Sequence, residues 1–146
     1  MNTLKKLIVL TGLLSVVCAI PSTAQIINQV KFDVPFEFYA GNAKMPAGSY
    51  TVSQPNPDDN LLLIENASGS PSVFVEYVLD STSSDTAHAQ TDVTFNKYGK
   101  VDFLGAIWVE GQNSSMQILQ SKVEKNAAKA AAGEKHSLSA KSASRP

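Results

Sequence analysis

The sequence predicts an all-β fold: a single antiparallel β-sandwich or partly open barrel of about six to eight strands, with one short C-terminal α-helix. Three observations predict it. Apolar and polar residues alternate along most of the chain after residue 29. Clusters of Pro, Gly, Asn and Asp interrupt that alternation at short intervals. A helical period occurs late, from Ser121.

The first 24 residues stand apart from this pattern. Lys5 and Lys6 precede an apolar run over 7–20, and Pro21-Ser22-Thr23-Ala24 places small residues where a signal peptidase reads them. Residues 1–24 are therefore expected to be a cleavable secretory signal peptide, with Gln25 as the mature start. The run is shorter than the roughly 18 to 20 residues that a membrane-crossing helix needs, so no transmembrane segment is expected after cleavage. Cys18 lies inside the run, but Ser15-Val16-Val17 lacks the Leu and the small residue of a lipidation signal, so Cys18 is expected to leave with the peptide. The mature chain then has no cysteine, and its stability must come from packing.

From 30 to 39, Phe32, Val34, Phe36 and Phe38 share one parity, and Lys31, Asp33, Pro35, Glu37 and Tyr39 the other, as in a half-buried strand with an edge or bulge at Pro35. Met45-Pro46-Ala47-Gly48 reads as a turn, with Gly48 free to take a positive φ, leading into a strand over 49–53 with Tyr50 and Val52 inward. Residues 54–60 hold two prolines, two aspartates and two asparagines and predict a polar surface loop. A short apolar strand over 61–66, a turn over 67–71 and a strand over 72–79 follow, the last with Val73, Val75, Tyr77 and Leu79 on one side. The Ser- and Thr-rich stretch over 80–90 is expected to be a mobile loop.

Residues 91–95 alternate through Val93 and Phe95, and 96–100 turn at Gly99. Residues 101–110 form the most apolar strand, with apolar side chains on both parities, so cover is expected on both faces. Gly105 in its middle predicts a bulge or a close backbone approach. Ser121-Lys122-Val123-Glu124 has the spacing of a capping box, and 122–132 is rich in helix formers ahead of Gly133 as a stop. Three helical turns are marginal alone. The helix is expected to dock through Val123, Ala127 and Ala130 or Ala131 on the second face of 101–110, covering Trp108. Residues 134–146 are expected to form a disordered basic tail.

Charge divides along the chain: residues 25–110 carry eleven acids against four lysines, and residues after 110 carry six bases against Glu124 and Glu134. The basic end suggests contact with an anionic cell-envelope component, and nucleic acid is not expected as a partner of the acidic body.

No catalytic, cofactor-binding or metal-binding residue is assigned. His88 and His136 fall in segments read as mobile, and no nucleophile turn, phosphate-cradling loop or zinc spacing occurs. Asn56, Asp58, Asp59 and Asn60 offer oxygen ligands without calcium-loop spacing and read as a Pro-Asp turn. Asp33 and Glu37 share a strand face at roughly 13 Å, beyond the separation of glycosidase carboxylates. Phe32, Phe36, Phe38, Tyr50, Tyr77 and Trp108 read as core, with a ligand cavity as the alternative. Asn66-Ala67-Ser68 and Asn113-Ser114-Ser115 match the glycosylation triplet, which is short enough to arise by chance.

Val34-Pro35-Phe36-Glu37-Phe38, Gly41-Asn42 and Met45-Pro46-Ala47-Gly48-Ser49-Tyr50-Thr51-Val52, with Phe95-Asn96-Lys97-Tyr98-Gly99, Phe103-Leu104, Ile107-Trp108-Val109 and Ser121-Lys122-x-Glu124, span nearly the whole mature chain. In these motifs the sequence resembles a group of small exported proteins of unassigned function associated with Acidobacteria. The resemblance implies a bacterial, exported β domain with a short C-terminal helix, and no activity. The expected function is a non-enzymatic β module, envelope-associated or extracellular, with a binding or structural role. The alternative is a small apolar-ligand carrier with a cavity between its sheets.

Overall fold

The computed structural model describes residues 29–81 and 88–143. The expected signal peptide and the centre of the loop expected over 80–90 lie outside the described residues.

The described residues are mostly β, with one helix. Alternation builds β1 (Gln29–Val34), in which Val30, Phe32 and Val34 are buried between exposed Gln29, Lys31 and Asp33. Pro35 ends it, because a residue with no backbone N–H cannot continue the ladder. The expected single strand over 30–39 is thereby two, and β2 (Phe38–Ala40) resumes on a different neighbour, parallel to a later strand. Gly41 at φ +60° turns the chain into β3 (Ala43–Met45). Pro46-Ala47 leads on to β4 (Gly48–Ser53), where the Tyr50 hydroxyl donates back to the Pro46 carbonyl. Gly48 does not take the expected positive φ; a Cβ there would lie 3.0 Å from Asn66 Nδ2, so what the site requires is space.

β5 (Leu61–Asn66) and β6 (Ser72–Asp80) follow the expected bounds closely. β7 (Asp92–Tyr98) and β8 (Val101–Trp108) form a hairpin at Gly99, φ +63°. Between them the register slips at Thr94/Phe95, where Phe95 faces Leu104 and Thr94 faces Ala106, leaving Gly105 as the extra residue of a bulge. A Cβ on Gly105 would stand 2.9 Å from Asn96 Nδ2, so the expected bulge and the expected close approach are one feature.

Four strands exceed those read from the sequence. β3, β9 (Ser115–Ile118), β10 (Gly133–Ser139) and β11 (Lys141–Ala143), together with the split at Pro35, bring the total among the described residues to eleven rather than six to eight. Residues 133–143 are therefore paired strand and not the expected disordered tail. Composition suggests disorder because only Leu138 is large and apolar. What orders the segment is the ladder, seven residue pairs with β7 and three with β1, together with Leu138 and Ala140 packed against the core.

The hydrogen-bonded path runs β10-β7-β8-β9-β6-β5-β4-β1-β11, with β2 joined to β8 and β3 to β2. It is not closed. Its two ends, β10 and β11, are consecutive in the chain with Ala140 between them. The interior is packed with large side chains: Phe38, Tyr50, Phe95, Leu62, Ile64 and Ile107 are each at most 1% exposed. Burying each contributes about 1.5 to 3 kcal/mol relative to exposure.

α1 (Lys122–Ala130) corrects several expectations. Ser121 caps it, accepting from the Glu124 N–H at 3.1 Å. The Glu124 carboxylate turns inward and accepts from Asn96 Nδ2 at 3.0 Å. The buried residue of α1 is thus Glu124, at 3% exposed, while Val123, expected to dock, is 38% exposed. Polar contact outcompetes apolar contact because Asn96, lying over Gly105, offers a donor at that point. Ala131 caps the end in extended conformation, and Gly133 opens β10 under the Tyr98 ring, where a Cβ would lie 2.7 Å from Cε1. Trp108 is not covered by α1; His88 stacks on it with ring centroids 4.7 Å apart.

Candidate functional site

Two histidines sit on carboxylates. His136, on β10 opposite Phe95, places Nε2 2.6 Å from Asp102 Oδ1, and its ring lies against Phe36 and Phe95. Asp102 is 7% exposed, so this pair ties β10 across β7 to β8. His88 Nε2 lies 3.1 Å from Asp92 Oδ2, and its backbone is held by Gln112 and Gly111. His136 thus lies on a paired strand and not in the expected tail, while His88 lies near the end of the loop expected over 80–90. A histidine oriented by a carboxylate is half of a nucleophile-activating arrangement. Among the described residues no hydroxyl is hydrogen-bonded to either ring; near His136, Thr94 Oγ1 and Ser137 Oγ bond to each other.

The other sequence candidates are held in local structure. Asn56 organises its loop, accepting from the Asp58 N–H at 3.1 Å and donating to Asp59 Oδ2 at 2.9 Å. Asp33 accepts from the Ser49 hydroxyl, and Glu37 pairs with Lys44 at 2.8 Å. Phe32, Phe38 and Tyr50 pack on one another, Phe38 edge-on to Tyr50 at 5.1 Å and to Phe95 at 5.3 Å. The Tyr77 hydroxyl leaves the core and accepts from Gln54 Nε2 at 2.9 Å. Asn66 Oδ1 accepts from the Ser68 N–H. No group of three or more His, Cys, Asp or Glu among the described residues is placed to hold a metal ion.

The surface feature that stands out is the outward side of β5, β6 and β9. On β6, Val75 and Tyr77 point inward, which sends Phe74, Glu76 and Val78 outward. Leu63 faces Phe74 across the β5–β6 ladder, and Leu61 faces Glu76. On the β9 side, Leu119 donates its N–H to the Glu76 carbonyl at 3.0 Å, which places it beside Glu76. Phe74 is 58% exposed, Val78 45% and Leu119 45%. Beside them an open groove of about 470 Å³ is lined by Asp58, Asp59, Leu61, Glu76, Val78 and Leu119 among others.

Reading β6 by one parity missed this face. The signal was present: Leu61-Leu62-Leu63-Ile64 and Val73-Phe74-Val75 are apolar on both parities, as residues 101–110 are. No helix among the described residues is long and apolar enough to cross a membrane. Comparison with protein-family models, with curated proteins and with solved structures returns no match.

Proposed function

We propose that this chain is an exported, non-enzymatic binding module of the bacterial envelope or extracellular space. The observation that carries the reading is the exposed apolar side of β5, β6 and β9. A strand side chain as large as Phe74 left 58% in solvent, with Val78, Leu119 and half-buried Leu61 and Leu63 around it, is the usual mark of a surface that meets a partner. Export rests on the leader over 1–24. The apolar-ligand carrier is less well supported, because the aromatic residues that would line a cavity pack edge to face on one another.

The test is retention of the purified protein on isolated cell envelope. Phe74→Ser and Leu119→Ser should each reduce retention about tenfold, as loss of a central apolar contact does. Thermal melting should be unchanged, since neither side chain is in the core. Undiminished retention of both variants would remove the face from the function.

A second reading, contact with an anionic envelope component, is favoured by one observation. With β11 paired to β1, Lys141 stands directly opposite Lys31. Like charges opposite one another in a ladder destabilise it slightly and are relieved by an anion. The double variant Lys31→Gln, Lys141→Gln should lose retention at low salt if this reading holds.

A further inference from the structure

The chemistry of the exposed face points to the kind of partner it takes. Glu76 stands at its centre. Leu61 on β5 and Leu119, the residue after β9, flank it on either side at cross-strand spacing of roughly 5 Å. Phe74 and Val78 flank it along β6, each roughly 7 Å away. A carboxylate is thus ringed by four apolar side chains, and no Lys, Arg or His of the described residues is within ion-pair distance of it. Asp58 and Asp59 add their carboxylates where the groove meets the loop, and Glu65 lies on the same face of β5.

An uncharged apolar partner would bury the Glu76 charge without compensation, which is costly. An anionic lipid surface would meet four carboxylates. A partner that sets a cation on Glu76 and apolar groups on the surrounding side chains satisfies both parts of the face.

We infer that the face formed by Leu61, Phe74, Glu76, Val78 and Leu119 docks a basic segment of another protein, one carrying a Lys or Arg flanked by apolar side chains. The inference rests on the binding-module reading and specifies its partner. The cation pairs with Glu76, the flanking apolar groups cover Phe74, Val78, Leu61 and Leu119, and further basic residues reach Asp58 and Asp59. Desolvation by the apolar ring strengthens the central pair as the segment seats.

The experiment measures binding of the purified protein to three fluorescent peptides by anisotropy: one alternating Lys and Leu, one with Glu in place of Lys, and one with Ser in place of Leu. The Lys/Leu peptide should bind, with affinity falling as salt is raised. The other two should bind at least about tenfold more weakly. Glu76→Gln should weaken the Lys/Leu peptide about tenfold without changing the melting temperature, since Glu76 is exposed. Phe74→Ser should do the same.

Binding of the Glu/Leu peptide as tight as that of the Lys/Leu peptide, or no effect of Glu76→Gln, would overturn the basic partner. If Phe74→Ser still abolished envelope retention, the binding-module reading would stand without it. Sedimentation that shows a dimer lost in Phe74→Ser would assign the face to a second copy of this chain and overturn the inference in that direction.

Discussion

β6 and β8 are strands of nine and eight residues with apolar side chains on both parities, and they end in opposite situations. From Asp102 to Ile107 every residue of β8 is buried. Leu104 and Ile107 face the core, while on the other side Phe103 stacks on Tyr39 at 5.3 Å and meets Tyr98 at 5.9 Å. Asn96 lies over Gly105 and holds α1 through Glu124. β6 has the core on one side only, and Phe74 and Val78 on the other side are 58% and 45% exposed; Leu79, expected inward beside Tyr77, is itself 60% exposed near the strand end. Apolarity on both parities states that a strand will be covered twice. It does not say whether the second cover belongs to the same chain.

The largest expected effect sets the two strands directly against each other. Phe103→Ala, at a site 1% exposed, should cost about 3 to 5 kcal/mol in urea unfolding. Phe74→Ala, the same change at 58% exposed, should cost under about 0.5 kcal/mol. Equal losses would mean that this chain itself covers the outer side of β6.

A smaller effect tests how the cover over β8 is attached. Gly105→Ala puts a methyl group 2.9 Å from Asn96 Nδ2, and displacing that side chain should cost about 1 to 3 kcal/mol. Adding Asn96→Ala removes the clash and should make the second change less costly than it is alone. Strict additivity of the two unfolding free energies would show that Asn96 and Gly105 are not coupled.

The smallest effect is in pH dependence. Burial pushes the Glu124 carboxyl above its ordinary value near 4.5, partly opposed by hydrogen bonds from Asn96, Gln120 and Tyr98. The folded state then holds this proton more tightly than the unfolded chain does. The resulting stability is present in full below the ordinary value and is lost as pH rises through the raised one. Urea midpoints measured upward from about pH 4 should fall over that interval in the parent and stay flatter in Glu124→Gln. Identical profiles would show that the carboxyl is not buried against Asn96. Tyr98 is raised as well, first by burial and then by the Glu124 charge beside it, so both groups bear on the same contact.

Much of the fold was legible because its signals are local. β1, β4, β5, β6, β7 and β8 follow from alternation, the turn at Gly99 from a residue that tolerates positive φ, and the α1 start from Ser121, whereas the turn at Gly41 was not read and the positive φ expected at Gly48 does not occur. The candidate face was partly legible, in the double apolarity of 61–64 and 73–75, but a strand read by its stronger parity hides the weaker one. The apolar helix dock was misread for a related reason. Val123 is the best apolar residue of α1, yet an Asn donor over a glycine made Glu124 the residue that turns in.

The sequence by itself determined the β class, most strand positions, the bulge at Gly105 and the division of charge, since periodicity, turn chemistry and counting need no partner strand. Tertiary structure decided the rest. Ordering of residues 133–143 depends on backbone edges that β7 and β1 leave unpaired, and composition carries no record of a free edge. Whether a second apolar side is covered depends on which elements reach it. The Tyr39 and Tyr98 rings and the Asn96 side chain reach β8, and among the described residues nothing comparable reaches the outer side of β6, so Phe74 and Val78 stay exposed.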